Sequence, residues 1–239
     1  MAVATVPDLL FGCWKRAWIK FADGTVDDTI PNTATVVWLQ TESLMVDVRI
    51  NADLLHISRR SGLHACTIDE LHALAMNDAS SGFTECSQPV VGADGLRGAT
   101  ASWNTRGHGI NFQPVSAFPE PGLMTWSADG TVMMECAPSG AYVEEWRHVP
   151  GSRNPLMVTK GESGTTYRSG AVAVFVRDRE LPIPRLARLS ELVDEYWEDR
   201  TMIEQLLDCE FSVAELTEGK WRVTASTLPW RTGDVLEVA

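Results

Sequence analysis

Four groups of residues in this 239-residue chain have the types and spacing for chemistry. The first is Tyr142, Glu144, Trp146 and His148, each two apart. Successive side chains of a strand alternate between faces, so Glu144 lies on one face between two large aromatics. A carboxylate walled in this way has a raised pKa and can serve as general acid or base near neutral pH. The plainer alternative is a solvated strand face that happens to carry aromatics. The second group is Asp47 and Arg49, with Trp38 and Gln40 on the neighbouring strand. Asp47 and Arg49 share a face and can pair with each other or hold a polar substrate group, arginine being suited to bidentate recognition. The opposite face, Leu44, Val46, Val48 and Ile50, is wholly apolar. That pattern turns Asp47 and Arg49 toward solvent, unless the wall is buried on both sides. The third is Arg16 between Trp14 and Trp18, either binding an anionic or carbonyl group or stacking on a tryptophan that closes the fold. The fourth is His108 in Arg106-Gly-His-Gly, a mobile ligand-binding loop or an ordinary exposed histidine. The candidate catalytic groups are therefore Glu144, Asp47 and His108. The candidate substrate-binding groups are Arg16, Trp18, Trp38, Gln40, Arg49, Trp103, Trp126, Tyr142 and Trp146.

No established catalytic signature accompanies these groups: the chain has no G-x-S-x-G, P-loop, G-x-G-x-x-G or H-E-x-x-H run. His56, His64, His72 and His148 have no metal-ligand spacing, so no metal is assigned, and no cofactor. The five cysteines are odd in number and none forms a CxxC pair, which reads as free thiols in a reducing compartment. A formal net charge of −12 argues against nucleic acid and against an anionic membrane surface. The first residues carry no basic n-region or signal-length apolar run, and the expectation is a soluble cytoplasmic protein.

The elements that must position these residues are mostly strands. Asp23-Gly24, Asp94-Gly95, Asp129-Gly130 and Glu218-Gly219 punctuate alternating runs and read as hairpin turns. Thr67-Ile-Asp-Glu70 is a capping box opening a helix over about Thr67–Asn77. Pro184 and the stripe Leu186, Leu189, Val193, Tyr196 and Trp197 predict a second helix over Arg185–Leu207. About ten short strands and two helices predict a mostly β fold in which a single antiparallel barrel, one domain over 1–239, closes its own edges. At about 25 cal/mol per Å² buried, the face holding Tyr142 and Trp146 turns inward with Glu144, and Val143, Glu145 and Arg147 turn out. The same rule sends Trp14 and Trp18 inward, and Arg16 with them. Arg16 and Glu144 then hold a polar substrate between them or neutralise each other.

Gly12-Cys13-Trp14 at the start of the first strand resembles the G-x-W signature of the lipocalin superfamily. Val37-Trp-Leu-Gln40, Val46-Asp-Val-Arg49, Phe112-Gln-Pro114, Tyr142-Val-Glu-Glu-Trp146 and Ser226-Thr-Leu-Pro-Trp230-Arg231 are similar to runs in lipocalin-like bacterial proteins of unassigned function. The resemblance implies a calycin-type barrel and an arginine, Arg231 or Arg222, packed across Trp14. It implies no reaction. Nine tryptophans suggest a cavity or core walled by aromatics. The expected partner is a small hydrophobic or aromatic ligand, with a homodimer left open. The expected function is binding of that ligand, with or without a cofactor-free lyase, isomerase or hydrolase reaction. Its alternatives are a carrier or sensor that does no chemistry, and a barrel filled by its own side chains.

Overall fold

The structure is a computed structural model that describes residues 6–28, 34–105 and 109–238. Its first half is a closed antiparallel barrel of eight strands. These are β1 (Gly12–Phe21), β3 (Ala34–Gln40), β4 (Leu44–Asn51), β5 (Asp78–Cys86), β7 (Arg97–Asn104), β8 (Gly122–Trp126), β9 (Val132–Cys136) and β10 (Tyr142–His148), with β10 pairing back onto β1. Two short strands, β2 (Val26–Asp28) and β6 (Val90–Val91), extend β1 and β7. Most of the hairpins are wider than the two-residue type I′ turns that the Asp-Gly pairs suggest. At Gly24, Gly95, Gly130 and Gly140 the glycine N–H bonds back three residues and only the glycine has positive φ, which is a type I turn followed by a left-handed residue. Both central residues are left-handed only at Glu218-Gly219, where φ is 52° and 75°.

The barrel does not take up all the strands. Leu156–Lys160 (β11), Thr165–Ser169 (β12), Val172–Arg177 (β13), Glu210–Thr217 (β14), Lys220–Ser226 (β15) and Val235–Leu236 (β16) form a separate six-stranded antiparallel meander. The barrel expected of the whole chain is thus confined to its first 148 residues. The second sheet packs its Tyr167, Val174, Val176, Phe211 and Val213 into one core with Val37, Leu39, Val46, Val48 and Ile50, the outer face of β3 and β4.

Three helices complete that core. The first, α1 (Ile68–Ala75), carries the full capping box of Thr67 and Glu70. The long helix expected from Arg185 to Leu207 is instead two, α2 (Leu189–Glu195) and α3 (Arg200–Leu207). The break has a local cause: the Asp199 carboxylate accepts from the Met202 N–H and starts a new helix, leaving Trp197 largely exposed in the corner. No helix among the described residues is long and apolar enough to cross a membrane.

Candidate functional site

Because the outer face of β4 is covered by the second sheet, Asp47 and Arg49 turn into the barrel, where both are partly buried. This corrects the expectation drawn from the apolar Leu44–Ile50 face. Cross-strand pairing builds the lumen in layers. Trp14 stands opposite Trp38, and Trp38 opposite Asp47. Arg16 stands opposite Trp146, Trp146 opposite Met133, and Met133 opposite Trp126. Tyr142, Glu144 and Trp146 turn inward and are 5 %, 0 % and 1 % exposed, while Arg147 is exposed.

Trp18 departs from the expected face. A bulge at Ala17 shifts the β1–β10 register so that Arg16 faces Trp146 but Trp18 faces Glu145. Ile19 takes the inward place opposite Glu144, and Trp18 lies on the outside, its indole donating to Glu145 Oε2 at 3.0 Å.

One end of the lumen is apolar. Val6 and Leu10 pack with Trp14, Trp38, Met45, Trp126, Met133 and Trp146, and the Trp14 indole donates to the Leu10 carbonyl at 2.9 Å. Trp14 meets His148 edge-on at 4.9 Å. The arginine that the lipocalin resemblance would place across Trp14 is absent from it: Arg231 pairs with Glu210 and Asp234, and Arg222 lies on the second sheet. Trp103 packs edge-on against Trp38 at 5.9 Å. Gln40 is fully engaged, donating to the Thr41 and Leu44 carbonyls and accepting from Thr84 at 2.6 Å, so it braces the β3–β4 turn.

The other end is polar. Glu144 Oε1 accepts from Arg16 Nη1 and from Arg49 Nη1, both at 3.0 Å. Arg49 Nε reaches Asp47 Oδ2 at 2.9 Å, and Arg16 Nη2 reaches Asp27 Oδ2 at 2.9 Å on the rim. The Arg49 guanidinium stacks 4.2 Å above the Phe118 ring, which meets Tyr142 edge-on at 5.0 Å. Burial pushes the Asp47 carboxyl up against the pull of Arg49, while Asp47 and Glu144 together hold the Arg49 guanidinium charged despite its burial.

Glu135 was not among the residues singled out by type and spacing, yet it completes this end. It stands directly opposite Glu144 on β9, is 3 % exposed, and accepts from the Tyr142 hydroxyl at 3.1 Å. Burial first, and the Glu144 charge second, push its carboxyl up to about 8, so it is protonated at neutral pH. The signal for it was register: the Ala137–Gly140 turn places residue 135 opposite 144, which alternation along a single strand does not reveal.

Among the described residues, the indole N–H groups of Trp38, Trp126 and Trp146 and Asp47 Oδ1 are buried lumen atoms without a hydrogen-bond partner. His108 lies outside the described residues. Among the described residues no cluster of His, Cys, Asp and Glu is arranged to hold a metal ion. No protein-family model, curated protein or solved structure matches the chain.

Proposed function

We propose that the protein binds a small, largely apolar or aromatic molecule inside the barrel. The tryptophan-lined end takes its ring system and the Asp47–Arg49–Glu144–Glu135 end takes its polar group. An eight-stranded barrel is wide enough either to be filled by its own side chains or to hold one small ligand. What carries the ligand reading is the set of unpartnered indole N–H groups on Trp38, Trp126 and Trp146, all 2 % exposed or less. A buried donor without a partner costs about 1–3 kcal/mol, and folded proteins leave few of them. Three in one lumen are better accounted for by a guest that supplies acceptors. Native mass spectrometry of the purified protein tests this: a discrete co-purified mass lost on denaturation supports it. A bare chain whose tryptophan emission ignores a panel of aromatic small molecules refutes it.

A catalytic variant of this reading has its own support. Glu144 is shared by two guanidiniums, whereas Glu135 is held near 8 beside the Tyr142 hydroxyl. A carboxylic acid poised so close to neutrality is suited to give a proton to a substrate oxygen and take it back. The reaction class is then a cofactor-free proton transfer, as in an isomerase or lyase, with Arg49 fixing Glu144 and Asp47 around it. Once a co-purified molecule is identified, its turnover should fall at least a hundredfold in Glu135→Gln. Full activity in that variant leaves a carrier.

A further inference from the structure

The polar inventory of the lumen is lopsided, and its imbalance specifies a guest. Among the described residues, the unpartnered buried atoms of the lumen include three indole donors and one carboxylate oxygen, Asp47 Oδ1. Both lumen arginines are already committed: Arg49 to Asp47 and Glu144, Arg16 to Glu144 and Asp27. An anionic guest would have to displace one of these carboxylates and then sit among the rest. A cationic guest would have to approach two guanidiniums and the positive ends of three N–H dipoles. A neutral guest rich in oxygen acceptors meets neither obstacle.

Glu135 adds a fourth donor on geometric grounds. It faces Glu144 across the β9–β10 ladder, and like charges directly opposite each other are unfavourable. Glu144 has two guanidiniums; Glu135 has only the Tyr142 hydroxyl as a hydrogen-bond partner among the described residues. The proton of the pair therefore resides on Glu135. The other charged groups facing it are Asp47 and Arg49 from β4, and Cys136 follows it on its own strand. β8 carries no charged residue, and β7 carries one, Arg97 at its start. A Cβ at Gly122 would come within 2.9 Å of Glu135 Oε1 and 2.8 Å of the Trp103 ring, so the glycine leaves the space in which the carboxyl sits.

We propose that the barrel selects a neutral, oxygen-bearing hydrophobe whose carbonyl or ether oxygens accept from the indoles of Trp38, Trp126 and Trp146 and from the Glu135 carboxyl, and whose hydroxyl donates to Asp47. This rests on the reading of the lumen as a binding site. Binding then carries a pH dependence: affinity holds where Glu135 is protonated and falls as pH rises through about 8, when the donor becomes a third carboxylate facing the guest.

Calorimetric titration with four naphthalenes of one size separates the outcomes: 2-acetylnaphthalene (neutral ketone), 2-ethylnaphthalene (apolar), 2-naphthoate (anion) and (2-naphthylmethyl)trimethylammonium (cation). At about pH 6.5 the ketone should bind about tenfold tighter than the other three, the worth of a single well-made hydrogen bond. Its affinity should drop between about pH 7 and pH 9 in the native chain and stay level in Glu135→Gln. Trp126→Phe, which removes one indole donor and keeps an aromatic ring, should weaken the ketone severalfold and leave 2-ethylnaphthalene far less affected. This second variant and the pH series on the native chain decide the matter even if Glu135→Gln does not fold. Tightest binding of the anion or the cation overturns the neutral-guest proposal and leaves the lumen reading standing. Equal affinity for ketone and hydrocarbon, unmoved by Trp126→Phe, overturns the polar recognition. Binding of none of the four removes the lumen reading itself.

Discussion

Glu144 holds two guanidiniums from two different strands, Arg16 on Oε1 and Arg49 across both oxygens, and nothing of its side chain reaches solvent. Such a group is costly to bury and costlier to remove, because its loss strands Arg16 and Arg49 beside each other. Glu144→Ala should therefore destabilise the fold by about 3–5 kcal/mol, read as a shift in the urea midpoint. A shift under about 1 kcal/mol would mean the cluster is hydrated enough to be a surface network. Glu135 acts in the opposite sense. Its folded pKa of about 8 lies above the 4.5 of an unperturbed glutamate, so between these values the folded chain binds a proton that the unfolded chain has released. Stability should fall as pH rises through that window, at up to about 1.4 kcal/mol per pH unit, and be unaffected by this group below it. Urea titrations of native chain and Glu135→Gln across about pH 4–9 check the sign: the variant should gain on the native chain as pH rises. At this scale the sequence was partly legible. Buried area oriented Tyr142, Glu144 and Trp146 correctly because their strand has one strongly aromatic face. The alternation pattern misplaced Asp47 and Arg49, because an apolar opposite face implies an inside only when a strand has one buried side.

Single elements carry the site through details of register. The extra residue Ala17 reverses the alternation of β1, so Arg16 and Ile19 both face inward and Trp18 faces out. No composition signal marks it; a bulge is visible only in the pairing with β10. The loop between the paired Ala137 and Tyr142 has four residues, and that length sets Glu135 against Glu144. On β8, Gly122 is the position that the carboxyl of Glu135 needs empty. Gly122→Ala puts a methyl group into contact with both that carboxyl and Trp103, an overpacking that should cost about 1–3 kcal/mol. It should also disturb Trp103 and with it the edge-on contact to Trp38, seen as a change in near-ultraviolet circular dichroism with the far-ultraviolet spectrum intact. An unchanged near-ultraviolet spectrum would show that the wall yields at no cost. Helix starts are legible in the sequence and helix interruptions much less so. The Thr67 capping box is a local signal and was legible. Asp199 is a local signal too, but it sits inside a run whose apolar stripe continues across the break.

At the scale of the molecule, alternation and turns identify strands but do not say which sheet a strand joins. That is why a chain of short antiparallel strands reads as one barrel, and why the meander from Leu156 onward was not separated from it. The two sheets are nonetheless bound to each other by physics that alternation alone understates. Phe211, Val213, Val174 and Val176 of the second sheet share one core with Val37, Leu39, Val46 and Val48, which are outer barrel residues. The second sheet is thus what allows β4 to bury its outer side and spend its inner side on Asp47 and Arg49. From this it follows that the barrel and the meander unfold together. Six of the nine tryptophans, Trp14, Trp18, Trp38, Trp103, Trp126 and Trp146, lie in barrel strands, so fluorescence follows chiefly the barrel while far-ultraviolet dichroism follows both sheets. Phe211 is fully buried in the second sheet, and Phe211→Ala should cost about 3–5 kcal/mol. Under shared unfolding, that loss moves the fluorescence and dichroism transitions to lower urea by the same amount, although no barrel residue has changed. If the dichroism transition splits and the fluorescence midpoint holds its place, the sheets are independent units, and the inward placement of Asp47 and Arg49 then needs a cause within the barrel alone.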